Sequence, residues 1–133
     1  MAGKGRTRRA LRQAETLIRD AGLSVTMQLT TRPGHATELA RRAAESGVGI
    51  VVAMGGDGTV REVATGLFGS ESTLALIPMG SGDDFARSLG IPRTLPESFE
   101  LLQSGVVSAC DVGEDSSGLF ICLSGVGFAA EVA

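Results

Sequence analysis

The residues that most constrain the fold are Gly55-Gly56-Asp57-Gly58-Thr59, set between the apolar run Ile50-Val51-Val52-Ala53-Met54 and the helix-periodic Val60, Val63, Ala64, Leu67 and Phe68. A short, wholly apolar run followed by a turn suits a strand buried on both faces, as in parallel sheets covered by helices. Glycines then let the backbone bend into a helix whose first N–H groups and positive dipole end converge on one point. Such a turn attracts an anion, and phosphate is its natural guest.

The rest of the chain repeats this alternation. Leu11, Ala14, Leu17, Ile18 and Ala21 recur at helical spacing and stop at Gly22; Val25-Thr26-Met27-Gln28-Leu29-Thr30 then reads as a strand. Pro33-Gly34 opens a helix carrying Ala36, Leu39, Ala40, Ala43 and Ala44, which ends at Gly47 before a strand over Gly49–Met54. After the helix from Thr59, Leu74–Ile77 is another apolar strand, and Pro78–Phe85 is a second glycine-bearing turn into a helix, with Ser81 or Asp83 able to cap it. Thr94-Leu95-Pro96-Glu97 is a capping box announcing a helix to about Ser104. Val106–Val112 and Gly118–Ser124, separated by Gly113–Ser117, read as an antiparallel hairpin. The expected fold is α/β, a three-layer αβα parallel sheet of Rossmann-like kind over residues 1–105, and the βα alternation stops over residues 106–133.

Composition narrows the function. A chain of 133 residues, 43% apolar and 20% charged, is long enough to bury a core. A net charge of −3 argues against a general nucleic-acid binder, although Lys4, Arg6, Arg8, Arg9 and Arg12 crowd the start. No apolar segment follows that basic start, and the stretch Leu119–Ala130 is too short and glycine-interrupted to span a bilayer. Cys110 and Cys122 have no CxxC spacing and lie in apolar runs, so buried free thiols and a cytoplasmic setting are expected.

Both glycine turns fall at carboxyl ends of expected strands, where open α/β sheets bind ligands. Thr59 and Ser81 offer hydroxyls. A carboxylate at Asp57 repels a polyphosphate unless it holds a metal ion, a ribose hydroxyl or the loop's own amides. Asp84 can join Asp57 in a magnesium network or cap its own helix, and His35, the one histidine, reads as a solvated first-turn residue. The turn matches neither the Walker A loop nor the dinucleotide GxGxxG fingerprint.

What it does resemble is the catalytic domain of the diacylglycerol kinase family, which includes bacterial lipid kinases, sphingosine kinases and ceramide kinases. Gly55–Thr59 matches the GGDGT loop, a motif shared with NAD kinases. Pro78-Met79-Gly80-Ser81-Gly82-Asp83-Asp84-Phe85-Ala86-Arg87 matches the family's Pro-Leu-Gly-Thr-Gly-Asn-Asp-Phe-Ala-Arg segment and favours lipid kinases. Thr30–Ala36 resembles the segment between the family's second strand and helix, and Val126–Ala130 resembles the Gly-Phe-Asp-Ala segment that begins its second domain.

The resemblance implies that ATP phosphates lie against Gly55, Gly56, Asp57, Gly58, Thr59, Val60 and Arg61. It implies further contacts from Thr30, Gly80, Ser81, Gly82 and Asp83, and from Gly3-Lys4-Gly5, the tail of the family's N-terminal phosphate loop. Asp57 is the implied catalytic residue of this half, with Asp57 and Asp84 at Mg²⁺ and the general base in a C-terminal domain that begins where the chain stops. Ala129 stands in place of an Asp, and Ser81 keeps the hydroxyl of a Thr. Asp83 stands where the family has Asn: at about 4 Å its charge opposes a phosphate by roughly 1–4 kcal/mol, weakening affinity tenfold or more.

The implied activity is ATP-dependent phosphorylation of a lipid hydroxyl such as that of diacylglycerol, the chain supplying the donor half and being inactive alone. The alternatives are an inert nucleotide-binding or assembly module and, on GGDGT alone, an NAD kinase. The resemblance also implies that the family's first strand is missing, which leaves one sheet edge short, and that residues 106–133 begin a β-rich second domain; peripheral membrane contact and self-association through that edge complete the expectations.

Overall fold

The computed structural model describes residues 2–121. Its centre is a pair of parallel strands, β1 (Ile50–Gly55) and β2 (Thr73–Pro78), in register from Ile50 opposite Thr73 to Gly55 opposite Pro78. Parallel neighbours need a crossover, and α3 (Asp57–Leu67) provides it. Before the sheet come α1 (Ala2–Asp20) and α2 (His35–Glu45); after it come α4 (Asp84–Ser88) and α5 (Leu95–Ser104). A hairpin of β3 (Gly113–Asp115) and β4 (Gly118–Phe120) follows.

One face of the sheet carries the main core. Ala53 and Leu76 meet Val60, Val63 and Leu67 of α3, Ala36 and Ala40 of α2, and Phe85 and Ala86 of α4. Each large side chain so buried contributes about 1.5–3 kcal/mol relative to exposure. The α2–α3 contact is close because Gly66 has no side chain: a Cβ there would lie 2.8 Å from that of Ala40 and strike the Thr37 carbonyl. Successive strand residues face opposite ways, so Ile77 turns its back on this core, and α5 packs on β2 with α1 behind it. Helix, sheet, helix is therefore the layer order at β2, whereas the second face of β1, expected to be covered, stays open among the described residues, with Ile50 58% and Val52 40% exposed.

Four expectations are corrected. Val25–Thr30 alternates like a strand but runs extended without a ladder partner among the described residues, and Leu29 is 63% exposed. Alternation specifies a face to bury, while a strand also needs a neighbour's backbone to pair with. Gly3-Lys4-Gly5 lies in the first turns of α1 and not in a loop; the helix formers from Arg6 onward carry the helix back across two glycines that each cost about 1 kcal/mol.

The hairpin is shorter and shifted. Asp115 Oδ1 accepts hydrogen bonds from the Ser117 N–H (2.8 Å) and hydroxyl (2.6 Å), which fixes a tight turn at Ser116-Ser117 and forces the strands to flank it at once. Gly113 lies opposite Phe120, whose ring fills the space a Cβ would need. Val106–Val112 is left irregular, with Val106 93% exposed. Cys110 is a free thiol but exposed for the same reason: the strand expected to bury it does not form. Cys122 and Val126–Ala130 lie outside the described residues.

Candidate functional site

β1 delivers Gly55 and Gly56 to the carboxyl end of the sheet, and α3 begins at Asp57, two residues earlier than the Thr59 start expected. The Val60 N–H bonds the Gly56 carbonyl at 3.0 Å, while the N–H groups of Asp57, Gly58 and Thr59 meet no acceptor among the described residues. These are the orphan donors of a helix start, and no side chain caps them.

Two of the glycines in this region exist so that the turns can touch. A Cβ on Gly56 would lie 3.2 Å from the Gly80 Cα, and one on Gly80 would lie 2.7 Å from the Gly56 Cα and 2.8 Å from Asp83 Oδ1. A Cβ on Gly55 would come within 2.7 Å of Thr59 Oγ1. Gly58 differs. It has no left-handed backbone, and a Cβ there would meet nothing within 4 Å. Glycine in a helix costs about 1 kcal/mol relative to alanine, so nothing among the described residues accounts for its choice. Open space above a helix start is what a ligand's phosphate would fill.

Carboxylates tie the turns together. Asp57 Oδ2 accepts the Asp84 N–H at 3.0 Å and its Oδ1 accepts the Phe85 N–H at 3.3 Å, so the first turn caps the helix of the second. Asp83 is 4% exposed and left-handed at φ 51; its Oδ1 accepts the Gly80 N–H at 2.9 Å, and Arg93 Nη2 stands 3.4 Å from its Oδ2. Asp83 precedes α4 but caps nothing there, since Asp57 has taken that role. Asp84 is exposed and pairs with Arg87 at 3.4 Å.

Asp57 Oδ2 and Asp84 Oδ1 flank Gly82, at 3.5 and 3.7 Å from where its Cβ would stand. No third His, Cys, Asp or Glu joins them among the described residues. Two carboxylates are a donor set that Mg²⁺ accepts when waters and phosphate oxygens complete its octahedron.

The other expected residues divide. Thr59 opens α3 beside Gly55, and Ser81 is exposed in the second turn. Val60 is buried in the core, with its N–H already bonded. Arg61 Nε donates to the Leu119 carbonyl at 2.7 Å and its Nη2 to that of Ser117 at 3.4 Å, clamping the hairpin on α3. Thr30 lies in the exposed extended segment, and Lys4 and Gly5 are exposed on α1. His35 Nδ1 accepts the Thr31 N–H at 3.1 Å, closing the entry to α2.

Two functional residues went unread in the sequence. Glu62 caps α2 as Asp57 caps α4, taking the Gly34 and Ala36 N–H groups at 3.0 and 3.2 Å. An acid beside the core residue Val63 was its only signal. Arg93 reaches across the second turn to the Gly80 and Ser81 carbonyls as well as Asp83. A cavity of about 250 Å³ lies against that turn, with Arg6 and Arg93 beside a lining of Ala10, Met54, Met79 and Leu95.

Parallel strands ending in two touching glycine turns, with open helix N–H groups above them, define an α/β domain of the kind expected from the sequence. The sequence model described as "Diacylglycerol kinase catalytic domain" matches residues 1–114, and the chain belongs to that family. It is 37% identical over 134 residues to the "Probable lipid kinase YegS-like" protein of Klebsiella pneumoniae (strain 342), covering 98% of this chain and 45% of that one. Its identity to "Probable lipid kinase YegS" of Escherichia fergusonii is 34% over 135 residues, with the same coverage. A diacylglycerol kinase crystal structure from Bacillus anthracis str. Sterne superposes with a TM-score of 0.65 at 32% identity, over 77% of this chain and 38% of that one. The chain thus spans less than half the length of these relatives. No helix among the described residues is long and apolar enough to cross a membrane.

Proposed function

We propose that the chain is the ATP-binding half of a lipid kinase, its two glycine turns receiving the phosphates of the donor nucleotide. The observation that carries this reading is Gly58, whose missing side chain serves no contact among the described residues and leaves the first N–H groups of α3 open. Gly56 and Gly80 keep the turns in contact, and Asp57 fixes the second turn through the Asp84 and Phe85 amides.

In the reaction, the bond from the γ-phosphorus to its bridging oxygen breaks, a bond to the lipid hydroxyl oxygen forms, and the hydroxyl proton passes to a base. Mg²⁺, held between Asp57, Asp84 and the phosphates, would neutralise developing charge. This chain's own residues bind and orient the donor. The acceptor cleft and the base are assigned to the additional length that the relatives possess, and the chain alone binds nucleotide without turning it over. Family membership supports a lipid hydroxyl, such as that of diacylglycerol, as the acceptor class.

Calorimetric titration with MgATP tests the reading. Saturable binding that Gly58→Ala weakens supports it. Absence of heat at millimolar nucleotide, with the protein folded, overturns it.

A further inference from the structure

We propose that Arg93 is a positioning residue: its guanidinium neutralises the buried Asp83 carboxylate and makes an acidic second turn compatible with a polyphosphate ligand. The inference rests on the nucleotide reading above and adds to it a residue that no motif contains. Asp83 is the one charged residue buried among the described residues, at 4% exposure, and it sits inside the turn whose Gly80 touches Gly56.

A buried carboxylate needs a partner, because leaving water costs it several kcal/mol that only hydrogen bonds and an opposite charge offset. One oxygen of Asp83 receives the Gly80 N–H at 2.9 Å; the other faces Arg93 Nη2 at 3.4 Å. The same Nη2 lies 3.2 Å from the Gly80 carbonyl and 3.4 Å from that of Ser81. Arg93 therefore does two separable things. It braces the turn through two carbonyls, and it cancels a negative charge beside the place where phosphates must approach. A brace alone would make Arg93 structural; the charge makes it decide whether the anion can enter. Between charges about 4 Å apart near a protein surface, the unbalanced repulsion is large enough to weaken binding tenfold or more.

The two roles separate in a four-protein cycle of wild type, Arg93→Ala, Asp83→Asn and the double variant, titrated with MgATP and unfolded in urea without nucleotide. Asn keeps an oxygen for the Gly80 N–H but carries no charge. Arg93→Ala is expected to lower affinity about tenfold or more. Adding Asp83→Asn recovers most of that loss, whereas in the wild-type background it tightens binding by leaving Arg93 unopposed.

An affinity defect that persists unchanged in the double variant overturns the proposal, because it assigns Arg93 to bracing alone. The urea arm stands apart from the nucleotide reading. If wild type binds no MgATP, that reading fails, yet the Asp83–Arg93 pair is still judged: Arg93→Ala should lower the unfolding midpoint less when residue 83 is Asn. Strictly additive midpoints would overturn the pairing.

Discussion

Gly58→Ala separates a ligand's requirements from the fold's. The added methyl meets no atom within 4 Å among the described residues, and residue 58 does not use left-handed backbone, so the folded state accepts it without strain. Alanine in a helix is favoured over glycine by roughly 0.5–1 kcal/mol, chiefly because the unfolded chain loses freedom. For a chain of this size that gain raises the thermal midpoint by about 2–5 °C. On the ligand side the methyl stands where a phosphate oxygen would approach the α3 start. Losing one hydrogen bond to a charged group costs about 1.5–3 kcal/mol, or roughly ten- to hundredfold in affinity. Thermal unfolding and calorimetric titration of the same two proteins read both quantities. A more stable variant with weaker MgATP binding is the expected result. Raised stability with unchanged affinity would refute the placement of phosphate over Gly58, and lowered stability would show that the glycine serves the fold after all.

The other predictions follow from equally local contacts. Gly80→Ala drives a methyl to 2.7 Å from the Gly56 backbone and should destabilise by about 1–3 kcal/mol, read by urea unfolding. Asp57→Ala frees the Asp84 and Phe85 amides, so their hydrogen exchange should accelerate and stability fall by about 1–2 kcal/mol; unchanged exchange would exclude the cap. Arg61→Ala removes the clamp on the hairpin, and proteolysis or exchange should rise across residues 113–120 with little effect on the core. Glu38 is held below the usual glutamate range, first by the Arg32 hydrogen bond at 2.8 Å and also by the positive charges of Arg32 and Arg42. Because the folded pKa is depressed, the pair's contribution is present above the ordinary glutamate value near about 4.3 and fades as pH falls through the folded pKa. An NMR titration should show Glu38 returning toward the ordinary range in Arg32→Ala.

Much of the fold was legible because it is written in local periodicity. Ile50–Met54 and Leu74–Ile77 are apolar throughout, and both proved to be adjacent parallel strands. The stripes ending at Gly22 and Gly47 gave helices with those glycines in left-handed backbone just past their ends. Such patterns report which faces must leave water and where a chain can turn, and both are properties of neighbouring residues. The pair of glycine turns was visible on the same basis.

Partnership was not legible in this way. Val25–Thr30 carries the alternation of a strand yet stays unpaired among the described residues, since a ladder is made by two segments and alternation describes one. Asp57 reads from sequence as an acid that faces a ligand or ties the amides of its own loop, but its two bonds go to amides 27 and 28 residues away. Arg61 reads as a phosphate contact and holds a hairpin 56 to 58 residues further on. Arg93 lies outside every motif and reaches back to Asp83. Local sequence determined that this chain would form helices, apolar strands and open glycine turns, because short-range propensity and burial act on consecutive residues. Tertiary structure alone decided which carboxylate caps which helix and which charges meet, because those depend on how chain segments distant in sequence close upon one another.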